Sequence, residues 1–183
     1  PKAALGIVTG GRCDPAHRDP AEGIGEALAV TFEIGFGIEL DAREQPFLLA
    51  SGPWVEVRDG NLTAATLYDR HYSRNRGAVG CPRIVGPGER IVLLTPCVRG
   101  LFVWRQFDSK DESAKPGDVN CAIFRNEGAG LSSDLILAAE DHAWAKWPGE
   151  RLYTYVNARR VRSANPGYCF KRAGWSVCGV TKT

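Results

Sequence analysis

A short glycine-bearing segment constrains the fold of this chain more than any other feature. It reads Arg125-Asn126-Glu127-Gly128-Ala129-Gly130, and it lies between an apolar run at 119–124 and a helix-like pattern at 131–147. Glycines let a ligand approach the backbone without a Cβ in the way, and the free N–H groups at a helix start attract negative charge. The segment therefore predicts a strand, a loop that binds a pyrophosphate, and a helix.

The spacing of this 125–130 loop excludes two common phosphate-binding motifs. A dinucleotide fingerprint has three glycines within six residues, and a P-loop needs a Lys followed by Ser or Thr after its second glycine. Here one residue separates Gly128 from Gly130, and Leu131 follows. The ligand is therefore expected to belong to another class of phosphate compound.

Hydrophobic periodicity predicts a mixed α/β domain from about residue 54 onward. Strands are predicted at 54–58, 91–95, 101–107, 119–124, 151–158 and 176–181, and helices at 63–72 and from Ser132 or Ser133, with a hydroxyl N-cap. Residues 30–40 alternate between apolar and polar and predict a half-exposed strand, and one short strand is expected at 4–9. We assign residues 1–50 to an N-terminal extension and residues 51–183 to the main domain.

Composition limits the class of protein. The chain has 183 residues, 44% of them hydrophobic and 24% charged, which is enough to bury a core. It has no run of about 18 apolar residues and no charged-then-apolar leader, so we expect no membrane partner. The 6 cysteines are scattered without a C-x-x-C pair, which favours a reduced, cytoplasmic protein. Cys13 and His17 could form half of a metal site, but no second ligand pair follows at suitable spacing, and we expect no metal.

Charge is distributed unevenly along the chain. Residues 1–69 contain 5 Lys or Arg and 11 Asp or Glu, whereas residues 70–183 contain 18 and 10. Many of the basic residues fall into two clusters. The first consists of Arg70, Arg74, Arg76, Arg83 and Arg90. The second consists of Arg151, Arg159, Arg160, Arg162, Lys171, Arg172 and Lys182. Such clusters attract polyanions, either cofactor phosphates or a nucleic-acid backbone. The alternative is an ordinary solvated face.

The 125–130 loop resembles the Arg/Gln-x-x-Gly-x-Gly/Ala signature of the GNAT acyltransferase superfamily, which binds the pyrophosphate of coenzyme A. The segment from Asn165 to Trp175, NPGYCFKRAGW, is similar to the short helix and closing strand of a GNAT domain. The resemblance covers about residues 54–183 and implies a mixed, mainly antiparallel sheet flanked by helices. It also implies acetyl-CoA or another CoA ester as donor, bound by Phe124, Arg125, Asn126, Glu127, Gly128, Ala129, Gly130 and Lys171.

The resemblance leaves the general acid open. Phe170 occupies the position at which many family members have a Tyr that is proposed to protonate the departing thiolate. Tyr168 could replace it if the helix is rotated or shortened. Asn157, at the end of its strand, is expected to hold the pantetheine amide of the donor or the acceptor.

A second segment, LYDRHYSR at 67–74, resembles the His-Tyr-Ser segment of the bacteriophage Mom family of DNA-modifying enzymes. This resemblance implies an adenine-type amine in duplex DNA as acceptor. His71 is the candidate general base because its pKa is near neutrality, with Tyr72 and Asp69 positioning the acceptor. Alternatively, His71 is a helix-end residue that interacts with the dipole. The candidate DNA contacts are Arg74, Arg76, Arg159, Arg160 and Arg162.

Three functions therefore stay open. The favoured one is an N-acyltransferase that acts on a nucleobase of phage-type DNA. The second is a bacterial small-molecule or protein N-acetyltransferase, in which the basic clusters serve only the CoA donor. The third is a non-catalytic GNAT-like module that binds DNA.

Overall fold

The computed structural model describes residues 5–9, 52–81, 83–107, 118–161 and 163–180. The chain divides into two units, Pro1–Arg12 with Ala50–Thr183, and Cys13–Leu49, and all described residues belong to the first. The strand predicted at 30–40 lies outside the described residues.

The described residues form seven strands and three helices. The strands are β1 (Leu5–Thr9), β2 (Val55–Val57), β3 (Glu89–Leu94), β4 (Gly100–Gln106), β5 (Val119–Asn126), β6 (Leu152–Val156) and β7 (Trp175–Val180). The helices are α1 (Leu62–Asp69), α2 (Ser132–Lys146) and α3 (Tyr168–Arg172), together with one 3-10 turn at Arg76–Ala78.

The strands form a single sheet in the order β2-β3-β4-β5-β6-β1-β7. Every neighbouring pair is antiparallel except β5 and β6, which are parallel. This architecture confirms the predicted mixed, mainly antiparallel sheet with flanking helices. Strand β1 comes from the predicted N-terminal extension, yet it pairs with β6 on one side and β7 on the other. Residues 5–9 are therefore part of the same sheet as the main domain. The sequence predicts a short strand there, but it does not indicate the strands with which it pairs.

Two helix boundaries differ from the prediction. Helix α1 begins after Asn61, whose side chain accepts a hydrogen bond from the N–H of Ala64, and it ends at Asp69 rather than at residue 72. Residues 70–73 consequently form a separate turn, the 70–73 turn. Helix α2 has Leu131 at its N-cap without a side-chain bond, and the predicted hydroxyl cap is absent because Ser132 Oγ accepts a hydrogen bond from Asn126 instead.

Three tryptophan indoles fix helix α2 on the sheet. Trp54 Nε1 donates to the carbonyl of Leu135 at 2.8 Å, and Trp104 Nε1 donates to that of Ala139 at 2.8 Å. Trp175 Nε1 donates to the buried carboxylate of Glu140 at 2.6 Å. Each buried hydrogen bond contributes about 1 kcal/mol, and burial of the three rings adds more. Because α2 begins directly after the 125–130 loop, these contacts also fix the loop at the end of β5.

Gly167 allows the chain to enter α3 next to the core, and this makes a stability prediction. Its φ is +73°, and an added Cβ would clash with Ile7 Cδ1. Ile7 is fully buried and has little room to move. Gly174 has a similar φ of +89° but open space around it. We expect Gly167→Ala to lower the free energy of unfolding by about 1–3 kcal/mol more than Gly174→Ala, measured by urea denaturation. Equal losses would mean that only backbone strain matters at both positions.

Candidate functional site

A bulge interrupts the pairing of β4 with β5. Val103 pairs with Ile123, whereas the next residue, Trp104, pairs with Cys121, so Ala122 is an extra residue in β5. Cys121 packs on the α2 side of the sheet, whereas Ala122 and Ile123 both pack on the α1 side. A bulge of this kind removes backbone groups of the extra residue from the ladder and redirects its neighbours.

The parallel pairing of β5 with β6 ends one residue before the bulge. It covers three residue pairs, the last of which joins Cys121 to Thr154. There, Thr154 Oγ1 donates to the carbonyl of Cys121 at 2.9 Å. Beyond this pair a cavity of about 280 Å³ opens between the strands, the β5–β6 cavity. Its walls are the bulged part of β5, the end of β6, the start of α3 and the 70–73 turn.

Asn126 closes the 125–130 loop with its side chain. Its Oδ1 accepts from the N–H groups of Gly128 (3.0 Å) and Ala129 (2.8 Å). Its Nδ2 donates to the carbonyl of Gly130 (2.8 Å) and to Ser132 Oγ (2.9 Å). Within the described part of the chain, the N–H groups of residues 130–133 have no acceptor. These four groups, at the start of α2, are the ones that could bind a phosphate.

Glu127 joins the 70–73 turn to this loop. Arg70 donates to both of its oxygens, Nε to Oε1 at 2.8 Å and Nη2 to Oε2 at 2.7 Å. Arg125 Nε also donates to Oε1, at 2.6 Å, and Arg125 Nη1 donates to the carbonyl of Arg70 at 2.5 Å. The hydrogen bonds from Arg70, followed by those from Arg125, lower the pKa of Glu127 to about 2. Glu127 is therefore ionised at neutral pH and acts as a bridge between two guanidinium groups.

His71 lies in the wall of the β5–β6 cavity and is only 8% exposed. Its Nδ1 is 2.7 Å from Ser73 Oγ and accepts the N–H of Ser73 at 3.3 Å, so the proton of the neutral ring is on Nε2. The ring centroid is 4.3 Å from that of Tyr72. Burial, and then the charge of Arg125, lower the pKa of His71 to about 4.

The structure brings together five of the residues predicted for the site. Those that line the β5–β6 cavity are His71, Tyr72, Phe124, Arg125 and Asn126. Asn157 lies just beyond β6, where its Oδ1 accepts the N–H of Arg159 at 3.1 Å. Tyr168 is 55% exposed and Lys171 Nζ donates to Asn165 Oδ1 at 2.6 Å, and neither residue is in the cavity wall.

The predicted DNA contacts have different surroundings. The Arg74 side chain is only 5% exposed, because it pairs with Asp69 and donates to the carbonyls of residues 78, 81 and 83. It stabilises the loop after α1 and is not available to a phosphate backbone. Arg159 and Arg160 are exposed next to the cavity, and Arg160 Nη1 is 3.5 Å from the carbonyl of Tyr72. The side chain of Arg76 and all of Arg162 lie outside the described residues.

Sequence reasoning missed several residues that line the cavity. They include Cys121, Ala122, Thr154, Val156, Cys169 and Phe170, and the sequence marks Phe170 only as a departure from a motif. Cys121 and Ala122 lie in a continuous apolar run of strand residues, and such a run carries no sign of a bulge or of a strand that parts from its neighbour. The run from Cys121 to Phe124 has no alternation that a bulge could interrupt.

Comparison with known proteins found no matching family model and no significant match among curated proteins or solved structures. In the described ranges, no helix is long and apolar enough to cross a membrane. Among the same residues, no group of three or more His, Cys, Asp or Glu side chains is arranged to bind a metal ion. Cys13 and His17 lie outside these ranges.

The lowered pKa of His71 predicts acid sensitivity. The unfolded chain takes up a proton at His71 below about pH 6.5, whereas the folded protein resists protonation down to about pH 4. Above pH 6.5 this group does not affect the free energy of unfolding. As the pH falls from 6.5 towards 4, the free energy of unfolding decreases by roughly 2–3 kcal/mol, because the unfolded chain binds a proton that the buried ring excludes. Urea denaturation at several pH values should show this loss in the unmodified protein and a flatter profile in His71→Gln. Parallel profiles would contradict it.

Proposed function

We propose that this chain transfers an acyl or related group from a CoA-type donor to an amine, with a nucleobase amine of DNA as the favoured acceptor. One observation supports the proposal most strongly. Strand β5 parts from its parallel neighbour and leads through the 125–130 loop into helix α2, whose first N–H groups have no acceptor among the described residues. Arg125 and Asn126 of the loop lie in the wall of the resulting cavity. This arrangement suits a long donor with a pyrophosphate at one end and a reactive thioester at the other.

The chemistry requires stabilisation of negative charge on the thioester carbonyl. When the amine attacks, a C–N bond forms, the carbonyl oxygen becomes anionic, and the C–S bond then breaks. The extra residue Ala122 lies in the cavity wall, and a bulge leaves backbone groups of such a residue without ladder partners. A backbone N–H at the bulge is therefore the proposed donor to the oxyanion.

The amine must also lose a proton. We assign this proton to His71, which receives it at Nδ1 through Ser73 Oγ, 2.7 Å away. A histidine with a pKa of about 4 is a weak base, but it is neutral and able to accept a proton at pH 7. A weak base suffices for an aromatic amine, because the nitrogen becomes strongly acidic once it has attacked the carbonyl.

The acceptor is assigned from the charge beside the cavity. Arg159 and Arg160 follow β6 at its cavity end and are exposed, a position from which they could contact a phosphate backbone. One observation favours the second candidate, a small-molecule or protein N-acetyltransferase. Arg70, Arg74 and Arg125 bind acidic side chains of the protein itself, which leaves fewer cations for DNA.

Binding of CoA tests the donor assignment. We expect the unmodified protein to bind CoA in calorimetry and Gly128→Val to abolish binding, because the branched side chain would occupy the space beside the loop N–H groups. Gly128 has a φ of +91° and open surroundings. Gly60→Val is the matched control, since Gly60 has a φ of +106°, equally open surroundings and a place in a remote turn. An unmodified protein without CoA affinity would contradict the donor assignment.

Salt dependence of DNA binding tests the acceptor assignment. We expect weak binding of duplex DNA that falls steeply with salt, because released counterions drive association. Arg159→Glu with Arg160→Glu should reduce the slope of log K against log salt by about 1 for each lost phosphate contact. Arg172→Glu, at the exposed end of α3, is the control. If the unmodified protein does not bind DNA at low salt, the acceptor is a small molecule or a protein amine.

A further inference from the structure

Both groups that react in the proposed transfer are recessed. The thioester carbonyl would lie beside Ala122, in the wall of a cavity of about 280 Å³ between β5 and β6. A cavity of this size is at the lower end of small-molecule pockets and cannot admit a base pair with its two backbones. In a duplex, the exocyclic amine of adenine or cytosine lies at the floor of the major groove, which is about 8.5 Å deep. An amine of intact duplex DNA therefore cannot reach the carbonyl.

Enzymes that modify a nucleobase generally act on an unpaired nucleotide or extrude the base from the stack. An extruded base loses its stacking neighbours, and an aromatic side chain at the site can replace them. A site for such a base should therefore carry an exposed aromatic ring at its mouth, next to cations that hold the backbone.

Tyr155 has this position. It lines the β5–β6 cavity and is 51% exposed. Its side chain alternates along β6 with that of Val156, which packs in the core on the α2 side, so Tyr155 projects on the α1 side of the sheet. The 70–73 turn, which follows α1, lines the same cavity and carries the exposed Ser73. The Tyr155 ring is thus at the mouth through which an acceptor would enter.

The contacts of Tyr155 fix its ring and leave it accessible. The Tyr153 ring meets it edge to face, with the two centroids 5.6 Å apart. The ring also lies next to Gly6 of β1, where an added Cβ would be 3.7 Å from Tyr155 Cε1. A ring that is already held by such contacts loses little side-chain entropy when a base stacks on it.

Two cations lie beside the same mouth. Arg159 and Arg160 follow β6 and are exposed, and neither forms an ion pair with any residue that the structure describes. Arg160 Nη1 is 3.5 Å from the carbonyl of Tyr72, which places it against the 70–73 turn. An exposed aromatic ring with adjacent cations is the combination with which proteins bind single-stranded nucleic acid.

We propose that the acceptor is an unpaired nucleotide, whose base stacks on Tyr155 while Arg159 and Arg160 bind the flanking phosphates. This inference rests on the proposed transfer to a nucleobase, and it names the state of the nucleic acid that the site accepts. Fully paired DNA binds only through its phosphates, and a base enters the cavity after it has left the duplex. A single strand needs no such step.

Binding of oligonucleotides, measured by fluorescence anisotropy at low salt, tests the stacking role. We expect Tyr155→Ala to weaken binding of a single strand by about 5- to 150-fold, because one base loses its aromatic partner. Its affinity for a paired duplex of the same length should change by less than about threefold. Tyr155→Phe should bind both ligands like the unmodified protein. Tyr168→Ala is the matched control, since Tyr168 is 55% exposed but lies outside the cavity wall.

A change in the ligand tests the same contact without altering the protein. A single strand of abasic residues keeps the phosphates but has no base to stack. The unmodified protein should bind it about as weakly as Tyr155→Ala binds the ordinary single strand. This comparison holds even if Tyr155→Ala does not fold. Equal affinity for the abasic and ordinary strands would overturn the inference, as would equal losses in Tyr155→Ala and Tyr168→Ala.

Single-turnover transfer from acetyl-CoA separates this inference from the proposed function. Faster transfer to a single strand than to a paired duplex supports both. Equal transfer to the two forms, with full activity of Tyr155→Ala, would overturn the inference and leave the proposed function intact. Single-strand binding that depends on Tyr155 without transfer to either form would reject the proposed function, while the binding of unpaired nucleotides at this mouth stands.

Discussion

The end of hydrogen bonding between β5 and β6 is the constraint on which the candidate site depends. Two parallel strands that remained paired would leave no space between them, and the bulge at Ala122 would be covered by its neighbour. The pairing instead ends at Cys121 and Thr154, where the threonine hydroxyl bonds to the cysteine carbonyl. Everything proposed for the reaction follows from that opening, since the bulge, the 70–73 turn and α3 all contribute to the wall of the same cavity.

Several charged side chains near this opening form ion pairs with one another. Glu127 bridges Arg70 and Arg125, and Asp69 holds Arg74 in the loop after α1. These contacts among five charged side chains fix the 70–73 turn and the loops beside it. Asn126 has an equivalent role in the loop, where one amide satisfies four groups. A pre-formed loop of this kind would lose little conformational entropy when a ligand binds.

The sequence predicted the elements well but not how they meet. Alternation and β-branched runs indicated the strands from residue 54 onward, and the glycine pattern located the loop before α2. The insertion of β1 between β6 and β7 depends on pairing at long range, which local periodicity does not encode. The burial of Arg74 was equally hidden, because a count of basic residues does not distinguish a paired guanidinium from a free one. The sequence predicts His71 and Tyr72 as site residues, and both line the cavity, but their separation from α1 follows from an early helix end at Asp69.

A crystal structure of the protein with CoA would test the central claim most directly. The account predicts the pyrophosphate at the N–H groups of residues 130–133 and the pantetheine arm between β5 and β6, with its sulfur beside Ala122 and Tyr72. A pyrophosphate bound elsewhere, or a CoA molecule that leaves the β5–β6 cavity empty, would contradict the account.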